Sequence, residues 1–160
     1  MPPEKKTSHK NILEIYTDGS CIGNPGIGGF ASLILDNGEE KILRGNHPAT
    51  TNNRMEMTAI ISALQWVKKN FSTLKSPSRI KIFSDSNLVI QTLLQNWKRK
   101  KNTDLWNELD ELIEALERSG AALEWCWVKG HSTNVNNNRA DKIALAEALK
   151  VKNSRTKRAP

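Results

Sequence analysis

Two aspartates directly follow predicted strands, where a carboxylate can face a substrate. The apolar segment Ile12–Thr17 ends at Asp18, and the segment Arg79–Phe83 leads through a serine into Asp85. Strands joined by helical crossovers are parallel neighbours, so their carboxyl ends meet at one edge of a sheet. Functional sites in such sheets lie at these strand ends. The sequence therefore predicts that Asp18 and Asp85 lie close together.

A third carboxylate, Glu56, lies on the apolar face of a predicted helix. It precedes Ile60, Ala63 and Val67 by four, seven and eleven residues, which is the spacing of one helix face. A charge on a face that packs against the core needs a partner or a cation. Asp141, near the start of the last predicted helix, is a fourth candidate.

Together these carboxylates have the composition of a site for a hard divalent cation. Oxygen ligands without histidine nitrogen or thiolate favour Mg²⁺, with Mn²⁺ as a substitute. Two such ions roughly 4 Å apart position an attacking water and stabilise the leaving oxygen in phosphodiester hydrolysis. The pattern therefore indicates chemistry on a phosphodiester.

Each carboxylate also has a purely structural interpretation. Asp18 precedes a glycine, as in an Asx turn. Glu56 stands three residues after Asn53, as in a capping box with Asn53 as the N-cap. Asp85 and Asp141 lie near helix starts, where a negative charge complements the helix dipole.

The segment Gly23–Gly29 is rich in glycine and separates the first two predicted strands. It lacks the Lys-Ser/Thr ending of a phosphate-binding loop and precedes a strand, so a nucleoside triphosphate site is not expected. Its glycines are compatible with close approach of a nucleic-acid backbone, with Asn24 supplying amide contacts. A plain turn is the alternative.

His131 follows Lys129-Gly130 in a polar loop and lies on no apolar face. A histidine with a pKa near neutrality suits proton transfer or assistance to product release. A solvated loop histidine without a role is the alternative.

Turn residues and hydrophobic periodicity divide the chain into five strands and four helices. The predicted strands are Ile12–Thr17, Phe30–Asp36, Lys41–Arg44, Arg79–Phe83 and Ala121–Val128. The predicted helices are Asn53–Asn70, Asn87–Trp97, Thr103–Ser119 and Arg139–Lys150. The expected fold is α/β, with a five-stranded mixed sheet of three antiparallel strands plus two parallel ones, flanked by helices.

The composition is that of one globular domain, with 160 residues, a mass of 18.0 kDa and 38% hydrophobic residues. Met1–Lys10 lacks the apolar stretch of a signal peptide, and no run reaches the roughly 18 apolar residues of a membrane span. Cys21 and Cys126 cannot form a disulfide framework. We therefore expect a monomeric, cytoplasmic protein without membrane association.

The net charge of +7 is concentrated at the two ends of the chain. Residues 150–160 hold five basic groups and no acid, and residues 1–10 hold three lysines and one glutamate, whereas residues 11–149 are neutral. We expect a polar tail over 1–10, one domain over 11–150 and a basic tail over 151–160. Attraction to a polyanion and a solubilising role fit this charge equally well.

Seven motifs occur in a fixed order along the chain. They are Tyr16-Thr17-Asp18-Gly19-Ser20-Cys21, Gly23-Asn24-Pro25-Gly26, Thr51-Asn52-Asn53-Arg54-Met55-Glu56, Ser84-Asp85-Ser86, Asp104-Leu105-Trp106, Trp127-Val128-Lys129-Gly130-His131 and Asn138-Arg139-Ala140-Asp141. In this order they resemble the signatures of type 1 ribonuclease H. The resemblance runs from about Asn11 to Leu149 and implies a ribonuclease H-like fold.

The resemblance also implies a chemistry. It assigns two Mg²⁺ ions, with Mn²⁺ as a substitute, to Asp18, Glu56, Asp85 and Asp141. The implied reaction is hydrolysis of the RNA strand of an RNA·DNA hybrid without strong sequence specificity, leaving 5′-phosphate and 3′-hydroxyl ends. His131 matches the family's mobile catalytic-loop histidine.

Further positions match residues that contact the hybrid in this family. Those lining its backbone and minor groove are Gly19, Ser20, Cys21, Asn24, Asn52, Asn53 and Gln91. Thr51 corresponds to a phosphate contact on the DNA strand, and Asn87 stands where a longer glutamine is common. Contacts to 2′-hydroxyls explain how an RNA strand is required without base reading.

The chain departs from many bacterial members in one basic segment. Only Lys98–Thr103 spans a gap where those members insert a helix and a basic loop. We expect this short run, Trp97 and the tail Lys150–Arg158 to replace part of that electrostatic role. Trp97 lies beside basic residues and is the candidate for base stacking. Three other tryptophans are predicted to be core residues: Trp106, Trp125 and Trp127.

Two other functions are compatible with these features. One is a module that binds hybrids without cutting them, but binding alone needs no carboxylate cluster, nor His131, facing a polyanion. The other is a DNA-directed recombination nuclease on the same fold, which the paired asparagines and the run Asp18-Gly19-Ser20-Cys21 disfavour. Fold alone does not decide between them.

Overall fold

The computed structural model describes residues 11–130 and 133–158, with side chains as far as Arg155. Its strands are β1 (Leu13–Ile22), β2 (Gly26–Asp36), β3 (Glu39–Thr50), β4 (Arg79–Ser84) and β5 (Ala122–Trp127). Its helices are α1 (Asn52–Lys69), α2 (Asn87–Gln95), α3 (Thr103–Arg118) and α4 (Val135–Arg158), with a short 3₁₀ turn at Phe71–Thr73. Within the described ranges, no helix is both long enough and apolar enough to cross a membrane.

The five strands form one mixed sheet in the order β3-β2-β1-β4-β5. The pairs β1–β2 and β2–β3 are antiparallel, whereas β1–β4 and β4–β5 are parallel. This confirms the predicted fold class. In the β1–β4 register Thr17 lies beside Ser84, so the residues that follow these positions emerge at the same edge of the sheet.

The strands of the hairpins are longer than their sequence predicts. β1 continues through Gly19-Ser20-Cys21, which pairs with Gly28-Gly29-Phe30 of β2, so most of the glycine-rich segment is strand. The pattern underestimated β1 and β2 because glycines carry no alternating side chains. At Gly29 the close packing of α4 requires glycine, because a Cβ there would lie 2.1 Å from the Ala144 carbonyl oxygen of α4.

Helix α1 covers one face of the sheet. Its N-cap is Thr51, whose hydroxyl accepts a hydrogen bond from the Arg54 amide at 3.2 Å, so the capping box predicted from Asn53 is wrong. Ile60, Leu64 and Val67 are fully buried, and each contributes about 2 kcal/mol of burial free energy. Helix α3 packs against the outer side of α1 through a row of buried residues: Trp106, Leu109, Leu112 and Leu116.

Helix α4 covers the opposite face. Successive β1 residues point to opposite faces: Ile15 packs in the cluster that contains α1 residues, and Tyr16 packs with Ala140 and Ala144 of α4. The predicted end of this helix at Lys150 is wrong, because α4 continues to Arg158. No glycine or proline stops the helix there, and basic residues near a helix C-terminus are favourable.

The tryptophans differ in burial. Trp106 is buried beneath the Arg99 guanidinium, which stacks over its ring at 4.4 Å and also forms an ion pair with Asp110. Trp125 packs against the core. The prediction of a core position for Trp127 is wrong: it is 49% exposed because it is the last residue of the edge strand β5.

Candidate active site

Three of the predicted carboxylates meet where β4 ends beside the middle of β1. Oxygen atoms of Asp18, Glu56 and Asp85 all lie within 4.8 Å of one another. Asp18 lies in β1, Asp85 follows the end of β4, and Glu56 lies in the second turn of α1. Asp18 and Glu56 are only 3% and 6% exposed. The fold therefore concentrates negative charge where little water screens it.

The backbone amide of Gly19 is a hydrogen-bond donor shared by Asp18 and Glu56. It donates to Asp18 Oδ1 at 2.9 Å and also to Glu56 Oε1. A Cβ at this position would lie 2.4 Å from the Glu56 amide nitrogen, so only glycine lets β1 approach the start of α1 this closely. Glu56 thus has a backbone donor that orients its carboxylate, which explains how it occupies a buried helix face.

The electrostatics of the cluster favour retained protons. The pKa of Asp18 is raised from 3.8 to about 8, mainly by burial; a hydrogen bond with Glu56 opposes the rise, and the charge of Asp85 contributes to it. Burial and the neighbouring Asp18 charge raise the pKa of Glu56 as well. Asp141 lines the same cleft and also contributes to the raised pKa of Asp18. A group of acids that resists ionisation gains most from a nearby cation.

The carboxylates lie in an open cleft of about 340 Å³. Its lining consists of Asp18, Gly19, Ser20, Cys21, Asn52, Asn53, Glu56, Asp85, Ser86 and Asp141. Nine of these are predicted site residues, brought together from β1, α1, the end of β4 and α4. Sequence reasoning missed Ser86, although its motif was visible. This residue is the N-cap of α2, and its hydroxyl accepts from the Val89 amide at 3.3 Å.

Other predicted contact residues lie near the cleft without lining it. Asn24 is adjacent, and its Oδ1 accepts from the Asn52 amide at 3.1 Å. Thr51 is the N-cap of α1. The remaining predicted residues lie along α2 and just beyond it: Asn87, Gln91 and Trp97. His131 lies outside the described residues.

The base of the loop after β5 supports Asp85 from the other side. The indole Nε1 of Trp127 donates to the Asp85 carbonyl oxygen at 3.2 Å. Gly130 approaches the same residue so closely that a Cβ there would lie 2.9 Å from Asp85 Oδ2. The described part of the predicted motif, Trp127–Gly130, therefore contacts Asp85 through the Trp127 indole and comes close to it at Gly130.

The donor set fits a hard divalent cation. Every candidate ligand is a carboxylate oxygen, and hard cations such as Mg²⁺ and Mn²⁺ prefer oxygen ligands. The two free cysteines are not part of the carboxylate group. The partly open cleft leaves room for water and a phosphate beside the acids.

Comparison with known proteins identifies the family. A family model described as RNase H matches residues 10–149. The chain belongs to the ribonuclease H family. This confirms the resemblance in the sequence motifs, and membership of the ribonuclease H family places the chain among the nucleases, which are hydrolases.

Individual ribonucleases H are similar over most of their length. The ribonuclease H of Hyphomonas neptunium is 43% identical, with 84% of this chain and 91% of the relative covered. That of a Polaromonas species is 42% identical, with 86% and 89% covered. A solved structure of LC11-RNase H1 in complex with an RNA/DNA hybrid superposes with a TM-score of 0.71 at 25% identity, covering 86% of this chain and 97% of that one.

Proposed function

We propose that this protein is an endonuclease that hydrolyses the RNA strand of RNA·DNA hybrids, leaving 5′-phosphate and 3′-hydroxyl ends. The observation that carries the proposal is the group of three carboxylates within 4.8 Å of one another in an open cleft. A binding module has no use for such a group, because it repels the phosphates of a nucleic acid. The similarity to LC11-RNase H1, which was solved with an RNA/DNA hybrid, supports the choice of substrate.

Asp18, Glu56, Asp85 and Asp141 would hold two Mg²⁺ ions, with Mn²⁺ as a substitute. Bound Mg²⁺ supplies activation of water and stabilisation of charge on the phosphate and leaving oxygen. The protein supplies the carboxylates and holds them still. The Gly19 amide orients Asp18 and Glu56, and the Trp127 indole restrains the backbone at Asp85.

The raised pKa values give the carboxylates a second property. Without metal, the pKa of about 8 means that Asp18 holds a proton at neutral pH. Metal binding to carboxylates requires ionised ligands and therefore releases protons. The site is thus expected to bind metal more tightly as pH rises towards 8, since fewer protons compete.

The polar residues around the acids would bind the nucleic acid. Ser20, Cys21, Asn52 and Asn53 line the cleft beside the carboxylates and offer donors and acceptors to sugars and phosphates. The amide of Asn52 is oriented by Asn24. Such contacts, including those to 2′-hydroxyls, distinguish RNA from DNA without reading sequence.

Other predicted roles belong to this proposal. Gln91, Asn87 and Trp97 would extend the contact surface along α2, and Thr51 would contact a phosphate of the DNA strand. His131 would assist proton transfer or product release. Its position outside the described residues leaves that role a prediction.

A cleavage assay with one end-labelled RNA tests the proposal. The RNA is annealed either to DNA or to RNA and incubated with protein and Mg²⁺ or Mn²⁺. We expect metal-dependent cutting of the hybrid alone. Asp18→Asn should reduce kcat at least about 1000-fold while the hybrid still binds, because a metal ligand is neutralised but the cleft keeps its shape. Glu117→Gln, an equal charge change at an exposed position on α3, is the matched control and should cut normally.

Two outcomes of this assay would contradict the proposal. Tight hybrid binding by the wild-type protein without cutting would favour a binding module. In a parallel incubation with an end-labelled DNA duplex, cutting of that duplex instead of the hybrid would favour a DNA-directed nuclease. Full activity of Asp18→Asn would remove that residue from the site.

We further propose that the protein works as a monomer in the cytoplasm. Both cysteines are free thiols, which suits a reducing compartment. Light scattering coupled to gel filtration should give a mass close to 18.0 kDa. A mass of twice that value would contradict the monomer.

A further inference from the structure

The last turns of α4 carry a dense positive charge. Residues 150–158 hold five basic residues and no acid, and the body of the chain over residues 11–149 is neutral. Lys150, Lys152 and Arg155 are all exposed. Because the backbone of these three residues is helical, each has a defined place along α4 relative to the cleft.

Helix α4 starts beside the cleft and passes over the part of β2 that pairs with the cleft residues. Asp141, in its second turn, lines the cleft. Further along, Ala144 and Ala148 face Gly29, which pairs with Ser20 of β1. The helix thus leaves the carboxylates and passes beside the residues proposed to contact the hybrid.

Arg155 anchors the far end of α4 to β3. Its Nη2 donates to the Pro48 carbonyl oxygen at 2.9 Å. Pro48 follows His47, which pairs with Gly28, and Gly28 pairs in turn with Cys21 in the cleft. Since β3 lies two strands from β1, the anchor is about 10 Å from the Cys21 backbone.

The second basic segment lies on the other side of the cleft. Lys98, Lys100 and Lys101 border a pocket with Asn53 and Trp106, on the face of the sheet that α1 and α3 cover. The end of α4 belongs to the opposite face. The two basic segments therefore lie towards opposite faces of the sheet.

We propose that the exposed basic surface formed by Lys152 and Arg155 at the end of α4 binds the phosphate backbone of the hybrid several base pairs away from the cut. This inference rests on the proposed function, since it concerns the same substrate. Arg155 has no carboxylate partner among the described residues, so its charge is available to a phosphate. The surface extends the binding site in one direction only.

The geometry sets the distance at which this contact acts. Fourteen residues of helix separate Asp141 from Arg155, which corresponds to about 21 Å at 1.5 Å per residue. At about 3.4 Å per base pair, this equals roughly six base pairs of duplex. Only hybrids that continue at least that far beyond the cut on the α4 side can reach the surface.

The experiment uses the whole protein and a DNA strand that contains a short block of ribonucleotides, annealed to complementary DNA. The ribonucleotide block confines the cut. One substrate has a duplex flank of about 4 base pairs on the 5′ side of the block and about 15 on the 3′ side, and a second substrate has these two flanks exchanged. Lys152→Gln/Arg155→Gln should raise KM about 3- to 10-fold for one order of flanks and leave the other order within about 2-fold. For the affected order, the slope of log KM against log salt should fall by about 1 for each phosphate contact that is lost.

Two further variants separate charge from structure. Lys68→Gln/Lys69→Gln removes the same charge from the last turn of α1 and should leave KM unchanged for both substrates. Arg155→Lys keeps the charge and should retain most of the affinity for the long flank, with an unchanged melting temperature.

Several results would overturn the inference. One is that the wild type and Lys152→Gln/Arg155→Gln have equal KM values on every substrate. Another is that the double variant raises KM equally for both orders of flanks. A third is that Arg155→Lys raises KM as much as the double variant does. Failure of the proposed function is distinguishable, because the wild-type protein would then cut none of the substrates in Mg²⁺.

Discussion

Replacing Asp18 by Asn is expected to stabilise the metal-free protein while it abolishes activity. Asp18 is buried beside two other carboxylates, and its pKa is raised from 3.8 to about 8. A carboxyl group with a raised folded-state pKa contributes full stability below its unfolded pKa, and that contribution is lost as pH rises through the folded pKa. Asparagine does not ionise and so avoids the loss.

The size of the effect follows from the same shift. Each pKa unit corresponds to about 1.4 kcal/mol, so a rise from 3.8 to about 8 sets an upper limit of roughly 6 kcal/mol above pH 8. Asp18 raises the pKa of Glu56, whereas its hydrogen bond with Glu56 lowers the pKa of Asp18, so one proton held by this pair relieves part of the cost. We therefore expect Asp18→Asn to gain about 2–4 kcal/mol at pH 8, or roughly 5–15 °C in Tm.

Urea unfolding followed by circular dichroism in EDTA measures this difference. The gain should be largest near pH 8, small near pH 4 and close to zero below about pH 3, where Asp18 is protonated in both folded and unfolded states. Mg²⁺ should stabilise the wild-type protein and stabilise Asp18→Asn less, because ligand binding to the folded state adds stability in proportion to affinity. This stabilisation of the wild type should disappear on addition of EDTA.

Asp104→Asn is the control with the opposite sign. The Arg54 guanidinium lowers the pKa of the exposed Asp104 to about 2, so its neutral variant should lose a little stability at pH 7 and none at very low pH. The electrostatic account would be refuted if Asp18→Asn were less stable than the wild type at pH 8. It would also be refuted if the gain in stability were the same at pH 4 as at pH 8.

Two further substitutions test how the site is held. Gly19→Ala should lower the free energy of unfolding by about 3 kcal/mol, because its methyl would meet the Glu56 amide at 2.4 Å. Gly120→Ala is the control: this position has φ +100 and open space, so the loss should be only about 1 kcal/mol. Equal losses in the two variants would contradict this. Trp127→Phe removes the donor to Asp85 and should lower kcat roughly 3- to 10-fold at similar KM, while Trp125→Phe should leave kcat near wild type. A change of KM alone in Trp127→Phe would argue against a role in positioning Asp85.

The parallel strands made part of the site predictable from sequence. Two apolar segments ending near Asp18 and Asp85, separated by helical residues, must meet at one sheet edge if they are neighbours. Glu56 was predictable because its spacing from Ile60 placed a charge on a buried helix face. These signals are local in the chain, and the sheet converts them into proximity.

Other features depend on contacts that no local pattern reports. The extension of β1 through Gly19 depends on its pairing with Phe30, and the N-cap at Thr51 depends on which hydroxyl reaches the Arg54 amide. Alternation along β5 placed Trp125 and Trp127 on one face, but only the edge position of the strand exposes Trp127.

The sequence by itself determined the fold class, the family and the identity of the carboxylates, because periodicity, turn residues and motifs are properties of residue order. Only the tertiary structure decided the raised pKa of Asp18, the need for glycine at position 19 and the anchoring of Arg155 on Pro48. Burial, charge interaction and steric contact depend on distances between residues that are remote in the chain, and those distances exist only after the sheet and its helices have packed.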